Sequence, residues 1–252
     1  MTISNGNPAM ARTVHLVVAG DHPSPELLVG WERLGVRPLE VAAPEPGTSA
    51  PCLLLAPALR GFVRAGLTQP FHGFVEQGRG SETLSTNSVS TILKGGLALS
   101  LTTSAAYSLD AARLTAAAIG ERFGVASHLQ GRLELVLAEA AANAVIHGNL
   151  GLSSEDRGSV DGVAAFQSAI NERLADPNLA TRRIEIAVLR QGTTLTLGVT
   201  DHGQGYDLSR ELSRPTARTD TFGRGLALIR WLSKSVTAAD GGRTLLVAFD
   251  LG

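Results

Sequence analysis

The stretch that decides the fold reads Glu139-Ala-Ala-Ala-Asn143-Ala-Val-Ile-His147-Gly148. It ends a run of apolar residues spaced three and four positions apart, which predicts a helix over residues 127–146. Further apolar residues lie outside this spacing, on the other sides of the helix, so we expect the helix to be largely buried. Glu139, Asn143 and His147 are the exceptions, and their spacing of four residues places them on one face.

This polar face has two interpretations. A carboxylate on a largely buried helix costs on the order of several kcal/mol unless it is paired or faces a wet or ligand-filled cleft. The face is then either the solvent side of the helix or the wall of a pocket. Three polar groups in register, with no Lys or Arg among them, favour the pocket, but the helix alone leaves both interpretations open.

Two glycine-rich motifs stand where strands and helices meet. Asp201-His-Gly203-Gln-Gly205 follows a predicted strand at 193–200, and Gly223-Arg224-Gly225-Leu226 precedes a helix that we expect to begin near residue 225. Glycines let backbone N–H groups approach a ligand, and a helix N-terminus favours phosphate. A carboxylate at a strand end can accept a hydrogen bond from the exocyclic amine of adenine. Each motif alone is also compatible with a plain turn or a helix cap, and neither has the Rossmann or P-loop pattern.

The order of these three elements resembles the ATP-binding fold shared by gyrase, the ninety-kilodalton heat-shock chaperone, sensor histidine kinases and MutL. Within this GHKL-type, histidine kinase-like ATPase superfamily, the pattern Glu-x-x-x-Asn-Ala-x-x-His-Gly is most similar to the anti-sigma-factor serine kinases. The resemblance covers roughly residues 97–251. It implies an α+β protein with a C-terminal two-layer α/β sandwich of the Bergerat type, in which a mixed sheet carries helices on one face.

The resemblance also implies roles for individual residues. Glu139 would be the general base, Asn143 would offer its amide oxygen to Mg²⁺, and Asp201 would bind the adenine amine. The implied cofactors are ATP and Mg²⁺. The residues implied to bind them are Asn143, His147, Gly148, Asp201, Gly203, Gly205, Gly223, Arg224, Gly225, Leu226 and, by a looser match beneath the adenine, Thr244.

The first part of the chain has a different texture. Apolar runs at residues 13–19, 36–42 and 52–56, with a helix expected over 25–34, predict a small α/β sheet. For residues 61–96 we predict only short strands near 71–75. We expect a regulatory or docking domain over residues 1–95 and the ATP-binding domain over 96–252. The first domain resembles a receiver module in its first strand, which is followed by Asp21. The module would be degenerate, because a second acidic residue is missing after that strand and Ala56-Pro57 stands where a phosphoacceptor Asp is needed.

Composition limits the partners. Lys and Arg number 22 against 23 Asp and Glu, so the charge balance gives no reason to expect a nucleic-acid or membrane partner. A single cysteine, Cys52, excludes an intrachain disulfide and suits a reducing compartment. The N-terminus lacks the pattern of a secretory signal, and we expect a cytoplasmic protein.

Two functions remain open. The first is an ATP-dependent serine/threonine protein kinase of the anti-sigma-factor type. It would phosphorylate a small antagonist protein, of the anti-anti-sigma (STAS) type, and would regulate transcription or a stress response by partner switching. A sigma factor as a second partner and a homodimer are expected from the family only. The alternative is a nucleotide-gated binding or regulatory module with little or no kinase activity.

Overall fold

The computed structural model describes residues 13–39, 50–78, 84–153, 160–213 and 225–252. The chain first forms β1 (Val14–Val18), α1 (Pro25–Arg33), β2 (Val36–Pro38), β3 (Cys52–Ala56), α2 (Arg60–Leu67), β4 (Phe71–Glu76) and α3 (Thr86–Leu93). It continues with β5 (Leu97–Thr102), α4 (Thr103–Ser108), α5 (Ala111–Phe123), α6 (Ser127–Asn143), a π turn (Ala144–Asn149), α7 (Val160–Ala175) and α8 (Pro177–Ala180). The last elements are β6 (Arg183–Gln191), β7 (Thr194–Thr200), α9 (Leu208–Ser213), α10 (Gly225–Leu232), β8 (Ser235–Ala239) and β9 (Thr244–Asp250).

All strands of the described residues join one nine-stranded sheet in the order β2-β1-β3-β4-β5-β6-β7-β9-β8. The pairs from β2 to β5 are parallel, and those from β5 to β8 are antiparallel. Strand β5 has both kinds of neighbour, since Leu99 is opposite Phe74 of β4 and opposite Ile186 of β6. The sheet therefore continues across the expected boundary between residues 95 and 96, and the division into two domains stays a prediction.

The alternation of side chains along β5 separates two apolar layers. Leu97, Leu99 and Leu101 pack with residues of α2, α5 and α6 and with the inner residues of β7 and β9. Ala98 faces the other way, into a smaller cluster with Trp31 of α1 and Ile92 of α3. Because side chains alternate between the faces of a strand, a strand that is buried on both faces reads as a continuous apolar run. The α+β architecture with a mixed sheet and packed helices confirms the expected fold class.

The parallel part of the sheet has the order 2-1-3-4-5, which is that of the flavodoxin-like doubly wound fold. In that fold the functional crevice lies at the carboxyl ends of the strands, between β1 and β3. Here β3 ends at Ala56, and the Gln77 side-chain amide donates a hydrogen bond to the carbonyl of Asp21. A methyl group at Gly20 would lie 2.2 Å from Gln77 Oε1, so the Gln77 side chain fills space beside the end of β1.

Several elements differ from the expectations. Residues 60–93 contain α2 and α3 in addition to the predicted strand, and the single helix expected over residues 127–146 is divided into α6 and the π turn. The expectation of a largely buried helix is also wrong for one side of α6, because Leu135 is 41% exposed and Ala138 and Ala142 are exposed. Apolar residues, alanine above all, also occur on protein surfaces, so an apolar circumference does not require burial all round. No helix among the described residues is long and apolar enough to cross a membrane.

A buried carboxylate joins α3 to the antiparallel part of the sheet. Glu185 of β6 is 4% exposed and accepts hydrogen bonds from the backbone N–H of Ser85 (3.0 Å) and from the hydroxyls of Ser85 (2.7 Å) and Ser88 (2.5 Å). Ser85 is the N-cap of α3, where the helix presents unpaired N–H groups. The carboxylate of Glu185 therefore satisfies the start of a helix that is about a hundred residues away in sequence.

We expect Glu185→Ala to lower the free energy of unfolding by about 2–3 kcal/mol, because it leaves an N–H group and two hydroxyls without their acceptor. Urea unfolding followed by circular dichroism measures this loss. The control is Glu172→Ala, which removes an exposed carboxylate from α7. Equal stability of the two variants would contradict a stabilising role for the buried carboxylate.

Candidate functional site

The polar face of α6 lines a large cleft. Its volume is about 910 Å³, and Glu139, Asn143 and His147 all contribute to its wall. Other residues of the wall come from the π turn, from the loop after β7, from the first residues of α10 and from the start of β9. The wall also includes Asp201, Gly203, Gly205, Gly225, Leu226 and Leu245. The pocket interpretation of this helix face is therefore the one that the structure supports.

Glu139 and Asn143 lie beside the start of α10. A methyl group at Gly225 would lie 2.7 Å from Glu139 Oε2 and 3.5–3.6 Å from the amide atoms of Asn143. A side chain at residue 225 would therefore require the flexible end of the Glu139 side chain to move. The N-terminus of α10 brings backbone N–H groups and a partial positive charge to this end of the cleft, which is an arrangement suited to phosphate. Gly223 and Arg224 of the same motif lie outside the described residues.

The π turn shapes the middle of the cleft. The N–H of Leu150 donates to the carbonyl of Val145 (2.9 Å), a five-residue spacing that widens the helix. Gly148 lies in this turn against Asp201, and His147 is exposed, with Nδ1 2.5 Å from the carbonyl of Leu152. The expected pair His147 and Gly148 thus lies in the π turn, and Gly148 lies against Asp201.

We expect Gly148→Ala to destabilise the protein by about 1–3 kcal/mol, as overpacking does. The new methyl carbon would lie 2.4 Å from Asp201 Cγ, so either the turn or the carboxylate must shift. Gly131→Ala on α6 is the control, because nothing lies within 4 Å of its methyl position and alanine favours a helix. Thermal unfolding should show a lower melting temperature for the first variant and an equal or higher one for the second. A melting temperature of Gly148→Ala that equals that of the wild type would contradict the packing.

Asp201 marks the other end of the cleft. It is 7% exposed, and its Oδ1 accepts a hydrogen bond from the N–H of Gly203 (2.8 Å). Burial raises the pKa of Asp201, against the opposing effects of the Gly203 N–H and of Arg243. A methyl group at Gly203 would lie 2.3 Å from the carbonyl oxygen of Gly148, and one at Gly205, where φ is 76°, would lie 2.2 Å from the carbonyl oxygen of Gly241. The glycines of this motif thus allow the loop to pack between the π turn and the β8–β9 turn.

The raised pKa of Asp201 predicts a pH dependence of nucleotide binding. An ionised carboxylate accepts a hydrogen bond from an adenine amine more strongly than a protonated carboxyl group does. We therefore expect ATP affinity to fall as the pH falls, with the loss starting above the pH range in which an ordinary aspartate is protonated. Titration calorimetry at decreasing pH measures the affinity for ATP. The control is Asp201→Asn, in which residue 201 does not ionise, so that any remaining pH dependence comes from the nucleotide and from other groups. Parallel curves for the two proteins would contradict the prediction.

Folding stability should change in the opposite direction. A carboxyl group whose pKa is higher in the folded than in the unfolded state binds more protons when folded. The contribution of Asp201 to stability therefore decreases as the pH rises through its folded pKa.

The expected role of Thr244 beneath the adenine stays a prediction. Thr244 is buried, and its hydroxyl lies 2.9 Å from that of Thr200 and donates to Asp240 Oδ2 (2.7 Å). Thr244 does not itself line the cleft, whereas Leu245, the next residue of β9, does.

Several residues of the cleft were not expected from the sequence. Asn149 follows directly after Gly148 and is fully buried, and Tyr206 lies behind the first glycine motif. Burial, together with the nearby Asp201 and Glu211, raises the pKa of Tyr206 to about 12, so the phenol stays protonated. Arg173, Arg182 and Arg243 supply positive charge along the wall. The only sequence signal for Asn149 is an amide at the end of an apolar helix. Arg173 and Arg182 come from α7 and from the residue before β6, which no motif marks.

A mixed sheet with helices packed on it, and a cleft between an acid–amide helix face and glycine loops, defines a nucleotide-binding domain of the two-layer α/β type. The model of the histidine kinase-like ATPase domain matches residues 102–249, which is more than half of the 252-residue chain. The chain belongs to this family of ATP-binding domains. No curated protein matches the sequence.

Proposed function

We propose that the protein is an ATP-dependent serine/threonine protein kinase of the anti-sigma-factor type. Its substrate is a small antagonist protein of the anti-anti-sigma (STAS) class, and phosphorylation switches partners in the control of transcription or of a stress response. A sigma factor is the second partner, and the kinase acts as a homodimer in the cytoplasm. The observation that supports the proposal is the position of the Glu139 carboxylate beside Gly225, at the N-terminus of α10, where we place the phosphates of ATP.

The chemistry requires a base, a phosphate site and a metal ligand. Glu139 takes the proton from the attacking serine hydroxyl, whose oxygen forms a bond to the γ-phosphorus while the bond to the β,γ-bridging oxygen breaks and ADP leaves. Asn143, one turn further along α6, offers an amide oxygen at the same end of the cleft. No group of three or more His, Cys, Asp or Glu residues able to hold a metal ion occurs among the described residues. This suits Mg²⁺, which takes few protein ligands, binds phosphate oxygens and, when present, neutralises their charge.

The three histidines before the family match do not lie on helices. His15 lies on β1 and His72 on β4, and His22 lies between β1 and α1. Burial lowers the pKa of His72 to about 4, an effect that the nearby Arg122 reinforces. We propose a hydroxyl of a separate protein as the phosphoacceptor.

Phosphorylation of candidate antagonist proteins tests the proposal. The full chain is incubated with γ-labelled ATP, Mg²⁺ and each candidate, and the products are analysed for phosphoserine and phosphothreonine. We expect label on a serine or threonine of at least one antagonist and none when ATP or the chain is omitted. Tight ATP binding without phosphorylation of any antagonist would reject the kinase and leave the nucleotide-gated binding module.

A further inference from the structure

Asn149 forms hydrogen bonds with four residues around the cleft. Its side chain is fully buried, and its Nδ2 donates to the hydroxyl of Thr103 (2.8 Å) and to the carbonyl of Arg183 (3.1 Å). Its Oδ1 accepts the backbone N–H of His202 (2.7 Å), and its own carbonyl accepts a hydrogen bond from the guanidinium of Arg182 (2.9 Å). One side chain thus ties the end of the π turn to the start of α4, the start of β6 and the loop after β7.

The bond to His202 fixes the loop immediately after Asp201. The carboxylate of Asp201 is confined by Gly148, the residue before Asn149, and by Gly203, the residue after His202. The backbone positions on both sides of the carboxylate therefore depend on the amide of Asn149. Since Asp201 reads a purine amine by the direction of a hydrogen bond, a small rotation of this loop changes the recognition more than it changes the packing.

The chemistry of the partners requires an amide. Nδ2 faces two acceptors, and Oδ1 faces a donor. An aspartate at this position would direct a lone pair at the carbonyl oxygen of Arg183, with no proton to share unless it were protonated. An alanine would leave the N–H of His202 and the carbonyl of Arg183 without this partner, and buried groups without a partner are costly.

We infer that Asn149 is a positioning residue that sets the orientation of Asp201 and thereby the preference of the cleft for a 6-amino purine over a 6-oxo purine. The inference rests on the proposed reading of adenine by Asp201. It gives Asn149 no contact with the nucleotide and no part in phosphoryl transfer. Its effect belongs to nucleotide affinity and selectivity and not to the rate at saturation.

Measured dissociation constants for ATP and inosine triphosphate test the inference, because the two nucleotides differ at the purine 6-position. In the wild type we expect ATP to bind more tightly. The selectivity ratio is the dissociation constant for inosine triphosphate divided by that for ATP. In Asn149→Asp and Asn149→Ala we expect this ratio to fall about tenfold, which corresponds to the loss of one well-aligned hydrogen bond. Phosphotransfer at saturating ATP should stay within about threefold of the wild type.

Ile119→Ala is the matched control, because it removes buried volume from α5 and lowers stability without touching the cleft. Its nucleotide ratio should equal that of the wild type. Should neither Asn149 variant fold, Thr103→Val decides, because it removes one anchor of the amide and should lower the ratio severalfold.

Three outcomes overturn parts of the argument. An unchanged ratio in folded Asn149 variants, or in Thr103→Val if those do not fold, would reject the positioning role. A ratio that falls equally in Ile119→Ala would show a general effect of stability and would also reject it. A wild type without preference for ATP would instead show that Asp201 does not read the amine, and the inference would fall with that proposal.

Discussion

Replacing Glu139 with glutamine is expected to lower the rate of phosphotransfer by about 10²–10⁴-fold, the usual contribution of a general base. Glutamine keeps the size of the side chain and its place beside Gly225, but it cannot accept the hydroxyl proton. Binding of ATP should change by no more than about threefold, because the base acts on the acceptor and not on the nucleotide. Labelled phosphate transfer and titration calorimetry measure the two quantities separately.

The matched control for this variant is Glu134→Gln. Glu134 lies on the same helix but does not line the cleft, so its loss should change neither the rate nor the affinity. A Glu139→Gln protein that still phosphorylates its antagonist at the wild-type rate would exclude Glu139 as the base. A large loss of ATP affinity in that variant would show that the carboxylate acts mainly in nucleotide binding.

Replacing Asp201 with asparagine is expected to weaken ATP binding by about 30–100-fold. The change exchanges a charged acceptor for an amide at a group that is almost fully buried, and a hydrogen bond to a charged group contributes about 2–3 kcal/mol. Asparagine has nearly the same shape, so the contacts with Gly148 and Gly203 can persist. Calorimetric titration with ATP gives the affinity, and thermal unfolding confirms that the variant is folded.

Inosine triphosphate separates recognition from general damage to the cleft. The amide of the variant can donate to the 6-oxo group, so we expect its affinity for inosine triphosphate to equal or exceed that of the wild type. Asp207→Asn is the control, because this exposed carboxylate stands near the start of α9 and does not line the cleft. An Asp201→Asn protein that loses both nucleotides equally would contradict adenine recognition by Asp201.

Strands that are buried on both faces could be predicted from sequence with little error. The strand Cys52–Ala56 was expected at the bounds that the structure has, because it is a continuous apolar run between turn residues. Helix α3 was missed because its sequence, Thr86-Asn-Ser-Val-Ser-Thr-Ile-Leu, is rich in residues of low helix propensity. Its start is stabilised by Glu185, and no local pattern indicates a partner so distant along the chain.

The candidate site divides in the same way. The polar face of α6 and the glycine loops are local patterns, and the structure brings Glu139, Asn143, His147, Asp201 and Gly225 to one cleft. Asn149 could not be predicted, because its side-chain partners Thr103, Arg183 and His202 lie 46, 34 and 53 positions away. The position of Thr244 relative to the cleft depends on how β9 pairs with its neighbours, which a motif alone does not give.

Strand β5 limits how the chain can be divided for experiments. All six of its residues are buried, and it hydrogen-bonds to β4 on one side and to β6 on the other. A fragment that starts at residue 96 would keep the matched ATPase region but would turn β5 into an exposed edge strand. This strand is uncharged and mostly apolar, and its unpaired backbone groups could pair with another copy of the fragment. Poor solubility of such a fragment would therefore reflect the lost pairing between β4 and β5 and not a defect in the nucleotide pocket.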